Sequence, residues 1–408
     1  MRVSPPFAPA ALIASLIAAP VLAAGSAAAQ SGPATPSPPM VVRPGLIGTD
    51  PPVEPAVLQI PAPQARCGPD AISPVYDESL PSRSGVGVSA LPDLVLNFST
   101  AADGRVLSIR PDGEFAGETE TIQAAFAAWR FPAGARGDCR LTVRWRAVPF
   151  AQAETPDLLN FFAVTRTTGQ LRNAIARRLG GDGADCGELR GGRRPETVVV
   201  PDLLKGRRPP PGGRSWTVLR WNIDAEGRAT DVVTLGSSGD ADLDAEGLRA
   251  VAQSRMYPGP ARTGCVYNFF RNGEALPAPP VTPENGREDP LQDCPPAIGA
   301  RLTVNRDMRF PPAFQDRGVE GWALVRFDVA PWGQIGNVAV VEAQPAAAFG
   351  EEGRRLIQRS QVSAGFQAGV RCVVPVRFIT PPADAVAPYG QDTDGPPSPP
   401  ASNPVVLD

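Results

Sequence analysis

Histidine is absent from the 408 residues, and its absence limits the chemistry that this chain can perform. Ser-His-Asp and Cys-His catalysis, histidine metal sites and the commonest proton shuttle all require an imidazole. The serines of Gly236-Ser237-Ser238-Gly239 therefore have no base, and their sequence is not G-x-S-x-G. The chain also lacks the G-x-G-x-x-G and G-K-S/T loops that bind nucleotides. We predict a protein that is not an enzyme and that binds no cofactor.

Three acidic residues, Asp240, Asp242 and Asp244, have a spacing that could suggest a calcium site. They also lie where a helix is expected to begin, and Asp242 is placed to cap that helix. Capping accounts for these carboxylates without a metal. We therefore predict no metal site.

Six cysteines remain as the residues with chemical potential. Thiol exchange and zinc binding usually use a C-x-x-C spacing, which is absent here, so a structural role is favoured. Six cysteines allow fifteen pairings, and the choice among them depends on the elements that position them.

The stretch Ser215–Phe270 is the clearest of these elements. Alternation of apolar and polar residues over Ser215–Ile223 predicts a half-buried strand. A turn at Asp224–Gly227 leads into a second extended run, which completes a β-hairpin. A proline-free run from Leu243 to Met256 predicts a helix, and Cys265–Phe270 predicts another strand. The order is strand, strand, helix, strand.

Two further stretches repeat this order less regularly. The first has alternating Leu94–Thr100 before a helix at Thr119–Trp129, and the third has Ala323–Val329 before a helix with Phe349, Leu356 and Ile357 turned inward. We predict an α+β fold of three tandem ββαβ modules, each a small antiparallel sheet packed on one helix. Each module is expected to fold with only its upstream cysteine segment.

The turn Ser237-Ser238-Gly239, the following Leu243-Asp244-Ala245 and the later Tyr257-Pro258 resemble the C-terminal domain of the TonB energy-transducer family. The resemblance implies three degenerate tandem copies of a small domain that binds peptides rather than catalysing a reaction.

The third copy resembles the family best, through Phe310–Phe314 and Gly318–Gly321. It also departs from the family pattern, because Gln344-Pro345 replaces the Ser-Ser-Gly turn and no Leu-Asp follows. The start of its helix is therefore open.

Repetition selects one cysteine pairing. Each copy has a cysteine just before its last strand, and another lies 72, 79 or 78 residues upstream. The predicted disulfides are Cys67–Cys139, Cys186–Cys265 and Cys294–Cys372. Such bridges are typical of small exported domains.

The N-terminus resembles a secretory signal, with Arg2, an apolar run and the small residues Ala27-Ala28-Ala29. An uncleaved membrane anchor is the alternative. The 49 prolines cluster outside the copies and indicate linkers. The predicted segments are a signal peptide at 1–29, a Pro-rich disordered linker at 30–66, modules at 67–148, 186–272 and 294–381, linkers at 149–185 and 273–293, and a disordered tail at 382–408. A helix is expected within the first inter-module linker, around Leu171–Leu179.

The closing strand of the third copy, Val373–Ile379, is the predicted binding site. Proline is confined largely to edge strands, so Pro375 indicates a sheet edge. The resemblance implies that an extended peptide adds to this edge, and we expect it at Val374, Pro375, Val376 and Phe378, with the backbone of Val374 and Val376 facing the peptide. An edge that is merely blunted against aggregation is the alternative.

Two functions remain open. One is a non-enzymatic periplasmic protein that binds envelope proteins or outer-membrane transporter peptides by β-strand addition. The other is a TonB-type energy transducer anchored in the inner membrane, whose family members typically carry a histidine in the anchor. Membrane association is expected only if the N-terminal segment is not cleaved. The net charge of −3 and a single lysine, Lys205, give no basic face for nucleic acid.

Overall fold

The structure, a computed structural model, describes residues 56–86, 89–113, 119–165, 169–188, 194–281, 293–295, 298–303, 309–363, 365, 369–380 and 405–407. The predicted signal peptide and most of the predicted 30–66 linker and 382–408 tail lie outside these residues. The fold is a mixture of helices and several small antiparallel sheets.

Unit 1, residues 56–149, is built on a six-stranded sheet. Its elements are β1 (Ala56–Cys67), β2 (Asp70–Ile72), β3 (Arg83–Val86), β4 (Leu94–Thr100), β5 (Val106–Pro111), α1 (Glu120–Ala127) and β6 (Arg136–Pro149). The strand order is β2-β1-β6-β4-β5, and β3 pairs with β1. Leu94, Leu96 and Phe98 of β4 are buried in alternation with half-buried residues, as the sequence period predicts.

The predicted 30–66 linker is wrong at its C-terminal end, because β1 is a strand. β1 runs antiparallel to β6 from Val57 opposite Pro149 to Cys67 opposite Cys139. Its prolines, Pro61 and Pro63, lie between the stretches that pair with β3 and β2, where β6 is the one strand that pairs with β1 in the described part of the chain. A strand tolerates proline where one edge has no partner.

Residues 150–180 also differ from the predicted linker, since most of them are helical. A 3₁₀ turn at Phe150–Gln152 precedes α2 (Thr155–Val164) and α3 (Gln170–Gly180). The sequence indicated α3 only. Both helices bury apolar residues, among them Phe161, Phe162 and Ile175, between units 1 and 2.

Unit 2, residues 186–272, contains the reference stretch. Its elements are β7 (Gly187–Glu188), β8 (Pro195–Thr197), β9 (Arg214–Ile223), β10 (Ala229–Ser237), α4 (Ala241–Gln253), β11 (Arg255–Met256) and β12 (Arg262–Asn272). Its main sheet has the order β10-β9-β12-β7, with β7 parallel to β12. α4 packs on one face of this sheet, and α2 and α3 contact the sheet as well. The prediction of a single helix on each sheet is therefore wrong for unit 2.

Unit 3, residues 293–407, is the last of the three units in the chain. Its elements are α5 (Ile298–Arg301), β13 (Leu302–Thr303), α6 (Pro312–Gln315), β14 (Gly321–Val329), β15 (Ile335–Gln344), α7 (Ala347–Arg359), β16 (Gln361–Val362), β17 (Val370–Phe378) and β18 (Val405–Leu407). The sheet order is β15-β14-β17-β18. The predicted disordered tail at 382–408 is wrong at Val405–Leu407, because these three residues form the strand β18.

The units share a core, which differs from the expectation of independently folding modules. One hydrophobic cluster contains the cores of both unit 1 and unit 3, including Phe98, Phe126, Phe327 and Phe349. The edges of these two units also meet, because the Ile109 amide donates to the Pro345 carbonyl over 2.8 Å. Burying the apolar faces of both units against each other removes more surface from water than either unit could alone.

Candidate functional site

The three disulfides lie at the closing strands of the units. Cys67 is bonded to Cys139, Cys186 to Cys265 and Cys294 to Cys372, in agreement with the pairing predicted from repetition. No described cysteine is free. Each bridge joins the N-terminal segment of a unit to the closing strand of that unit.

β17 is the closing strand of unit 3 and contains the predicted binding residues. It pairs antiparallel with β14 along its whole length, from Val370 opposite Val329 to Phe378 opposite Gly321. The side chains of Cys372, Val374, Val376 and Phe378 are buried, whereas Val373 and Pro375 are half-buried and Arg377 is exposed. The Phe378 ring lies 5.4 Å from that of Phe349 on α7. The side chains of β17 therefore alternate, with the even-numbered residues facing the core.

The backbone of β17 alternates in direction as well, and two contacts fix which groups face outward. The Arg371 amide donates to Oδ1 of Asp293 over 2.6 Å, and the Arg371 carbonyl accepts from the Asp293 amide over 3.3 Å. The Thr380 amide donates to the side chain of Glu320, which directly precedes β14. In an antiparallel ladder successive residues point to opposite neighbours. Odd-numbered residues of β17 thus face away from β14.

This direction corrects the expectation for Val374 and Val376. Their amides and carbonyls face β14, and the outward groups belong to Val373, Pro375 and Arg377. Pro375, which has no amide hydrogen, occupies an outward position and leaves the β14 ladder intact. Arg377 supplies the outward donor next to it.

The outward edge of β17 has a partner in the structure. β18 pairs antiparallel with its last residues, with Val376 opposite Leu407, Arg377 opposite Val406 and Phe378 opposite Val405. The predicted edge strand therefore has a neighbour on each side at Val376–Phe378, and the second neighbour is the segment Val405–Leu407 of the same chain.

The corresponding edges of the other two units carry strands too. In unit 1 the closing strand β6 is lined by β1 along eleven residues, from Val57 to Cys67. In unit 2 the closing strand β12 pairs with β7 at Cys265 and Val266. Strand addition at the closing strand is a recurring arrangement within this chain.

Residues 306–380 match the family model of the Gram-negative bacterial TonB protein C-terminal. The match covers β14, β15, α7 and β17, and it does not extend to units 1 and 2. No curated protein matches the chain. The TonB C-terminal family is non-enzymatic.

The TonB-matched helix α7 begins at Ala347, two residues after Pro345 of the Gln344-Pro345 segment that departs from the family pattern. Gln344 contacts unit 1 instead, because its Oε1 accepts from the Ser108 amide and its Nε2 donates to the Ser108 hydroxyl, over 2.8 and 2.7 Å. The departure from the family sequence therefore coincides with a contact between units.

The acidic residues at the start of α4 all have protein partners. Asp240, rather than the predicted Asp242, caps the helix by accepting from the Leu243 amide over 3.1 Å, and it also pairs with the buried Arg271. Asp242 accepts from the Arg207 amide, and Asp244 accepts from the Ser237 hydroxyl. Among the described residues no group of three or more acidic or cysteine ligands could hold a metal ion.

A buried ion cluster that the sequence did not reveal joins the three units. Glu78 of unit 1 accepts from the guanidinium of Arg317 in unit 3 and, over 2.8 Å, from the amide of Arg214 in unit 2. The Arg214 side chain in turn lies 2.7 Å from Asp316. Burial raises the pKa of Glu78, an effect that Arg317 opposes, and burial lowers the pKa of Arg214. Each of these charged groups has an oppositely charged partner within the cluster, so we interpret the cluster as a structural contact between the units rather than as a reactive site.

Proposed function

We propose that this protein is a non-enzymatic envelope protein that binds an extended peptide by β-strand addition at the outer edge of β17. The occupation of this edge by β18 carries the proposal, because a backbone that accepts one antiparallel segment can accept another of similar chemistry. Domains of the matched family interact with outer-membrane transporters, which makes a transporter segment or another envelope protein the proposed partner.

The proposed contacts are made by the backbone. The Val373 and Arg377 amides and the carbonyls of Val373, Pro375 and Arg377 face outward, while Val374, Val376 and Phe378 anchor the strand in the core. Backbone pairing supplies affinity in this mode, and side chains supply selectivity. The peptide would therefore meet a strand whose even-numbered side chains are already packed in the core.

We further propose that units 1 and 2 are divergent copies of the unit that matches the family model. α4 and α7 are both 13 residues long, and their sequences align without a gap. The glycine at the seventh position of each, Gly247 and Gly353, lies where a Cβ would come within 3.1 and 3.0 Å of the sheet. The recurring disulfide at each closing strand supports the same relation. Module boundaries at 67–148, 186–272 and 294–381 are part of this proposal.

The proposed location is the periplasm, after removal of residues 1–29. Three disulfides are typical of an oxidising compartment. Among the described residues no helix has the length and apolar character needed to cross a membrane. A membrane-anchored energy transducer is the second candidate, and the match to the TonB C-terminal model favours it. N-terminal sequencing of the purified protein separates the two, because a chain that begins near Gln30 has no anchor at its start.

The binding proposal is tested at Arg377, whose amide is an outward donor. Synthetic peptides that cover the N-terminal periplasmic segments of outer-membrane transporters are titrated against the full chain. Arg377→Pro removes the amide hydrogen, and we expect at least a tenfold loss of affinity because a peptide hydrogen bond is lost and the ring obstructs the edge. Arg377→Ala is the matched control, since it keeps the amide and removes only the side chain.

Retained affinity in Arg377→Ala together with loss in Arg377→Pro supports strand addition. Equal affinity in both variants and the unmodified protein places the peptide elsewhere and refutes this site. The substitution Val376→Pro is unsuitable, because the Val376 amide faces β14 and its loss would weaken the core ladder.

A further inference from the structure

The strand on the β17 edge belongs to the chain itself, and this arrangement has consequences for any peptide that binds there. β18 follows β17 in sequence after residues 381–404 and returns antiparallel to it. It covers Val376, Arg377 and Phe378. These positions include the outward donor on which the proposed binding depends.

The outward-facing groups of β17 also determine which backbone groups of β18 face β17. Arg377 faces outward, so Arg377 and Val406 form a pair whose amides and carbonyls face each other. The amides of Val405 and Leu407 then point away from β17. Val406 is therefore the one residue of β18 that both donates to and accepts from the edge.

β18 is much shorter than the strand at the same edge of unit 1. β1 pairs with β6 from Val57 to Cys67 and is bonded to it by the disulfide Cys67–Cys139. β18 has three residues, and the structure records no bridge between it and β17. A short, unlinked strand can be exchanged, whereas the strand of unit 1 is held covalently.

We propose that Val405–Leu407 is the resident ligand of the β17 edge and that a partner peptide binds only by displacing it. This inference rests on the proposed function and adds its regulation. Val405–Leu407 competes with a partner peptide for the same backbone groups and thereby lowers the apparent affinity for that peptide. It also describes the partner, which is an extended segment that runs antiparallel to β17 and presents a backbone donor and acceptor opposite Arg377.

The size of the effect follows from tethering. A segment that is covalently joined to its own binding site has an effective concentration on the order of 1 mM. If this effective concentration is about ten times the dissociation constant of the free segment, the tethered strand weakens a competing peptide by about tenfold. Releasing the tether should restore that factor.

The experiment compares two proline variants of the full chain. Val406→Pro removes the amide that faces Arg377, whereas Leu407→Pro removes an amide that faces away and leaves the pair intact. The probe is a fluorescent peptide with the sequence of residues 401–408. We expect Val406→Pro to bind it about tenfold more tightly than the unmodified chain does, and Leu407→Pro to bind it within about twofold of the unmodified chain. Hydrogen exchange of the Arg377 amide should accelerate in Val406→Pro alone.

The outcomes separate this inference from the proposed function. Equal probe affinity in all three proteins, or no probe binding to Val406→Pro, overturns the resident-strand proposal. In either case the effect of Arg377→Pro on transporter peptides still decides whether the edge binds partners. If Arg377→Pro has no effect on those peptides while Val406→Pro increases probe affinity, the edge serves the C-terminal strand only and the proposed function fails.

Discussion

Replacing Ala250 with leucine should stabilise the protein, and this change tests whether units 2 and 3 are related. When α4 and α7 are aligned, Ala250 occupies the position of Leu356, and both residues are buried. Unit 3 fills its core at this position with leucine. Unit 2 instead has a cavity of about 320 Å³ that is partly open at the surface and is lined by Ala250 together with Trp221, Tyr267 and Phe269.

The magnitude follows from the added surface. Leucine has three more carbon atoms than alanine, and at about 0.8 kcal/mol for each buried CH₂ their burial contributes about 2.4 kcal/mol. Ordering the new side chain costs about 0.5 to 1 kcal/mol. The free energy of unfolding should therefore rise by about 1.5 kcal/mol. The reciprocal change, Leu356→Ala, should lower it by about 2 to 5 kcal/mol because it leaves a cavity in a packed core.

The assay is equilibrium unfolding in urea with the disulfides intact, followed by circular dichroism. Ala252→Leu is the matched control, because Ala252 lies on the exposed face of the same helix and should change the free energy of unfolding by less than about 0.5 kcal/mol. If Ala250→Leu destabilises the chain, or if the control stabilises it equally, the cavity does not accept a side chain from α4. The alignment of α4 with α7 would then lose its support.

Three further predictions concern stability. Unfolded, unreduced protein should contain no thiol that reacts with a thiol reagent, since the described cysteines are all bonded; two reactive thiols per chain would contradict the pairing. The hydrogen bond from Lys205, with that from Arg249, lowers the pKa of Glu246 to about 2, so the stability that this carboxylate contributes is complete above about pH 4.5 and is lost as the pH falls through 2. Glu246→Gln should make the free energy of unfolding less dependent on pH in this range, and an unchanged pH dependence would show that Glu246 does not contribute to it. Arg317→Met should destabilise the fold by about 3 to 5 kcal/mol because Glu78 stays buried without its arginine, and removing both charges should cost less in the same urea assay.

Local patterns explain the parts of the fold that the sequence predicted well. The alternation in Leu94–Thr100 and Ser215–Ile223 follows from a face of each strand that packs on a helix, and β4 and β9 lie there within one residue. The helix predicted at Leu243–Met256 is α4, shifted by two to three residues because the cap is Asp240. Each of these signals is contained in a short window of sequence.

The parts that the sequence missed depend on distant partners. Pro61 and Pro63 indicated a linker, yet β1 is a strand because β6, about 80 residues later, supplies its partner and leaves the opposite edge free at these prolines. The alternation of Val373–Ile379 left open which of its two faces is buried, and the direction of the Val374 and Val376 amides depended on which neighbour pairs with them. Side-chain alternation alone does not determine the side on which the neighbouring strand lies.

The outward edge of the closing strand is covered by a different strand in each of the three units. This difference determines in which unit a peptide can replace the covering strand. An uncovered edge strand is prone to aggregation, so a chain with three closing strands needs to protect each of them. β6 is protected by β1, which is long and held by a disulfide, and β12 pairs with β7 directly beside the bridged Cys265. β17 has a bridge at Cys372, outside the stretch that β18 covers. Protection in unit 3 therefore depends on a few backbone hydrogen bonds, each worth about 1 kcal/mol net. The edge of unit 3 is the one at which a peptide of modest affinity can replace the strand that protects it.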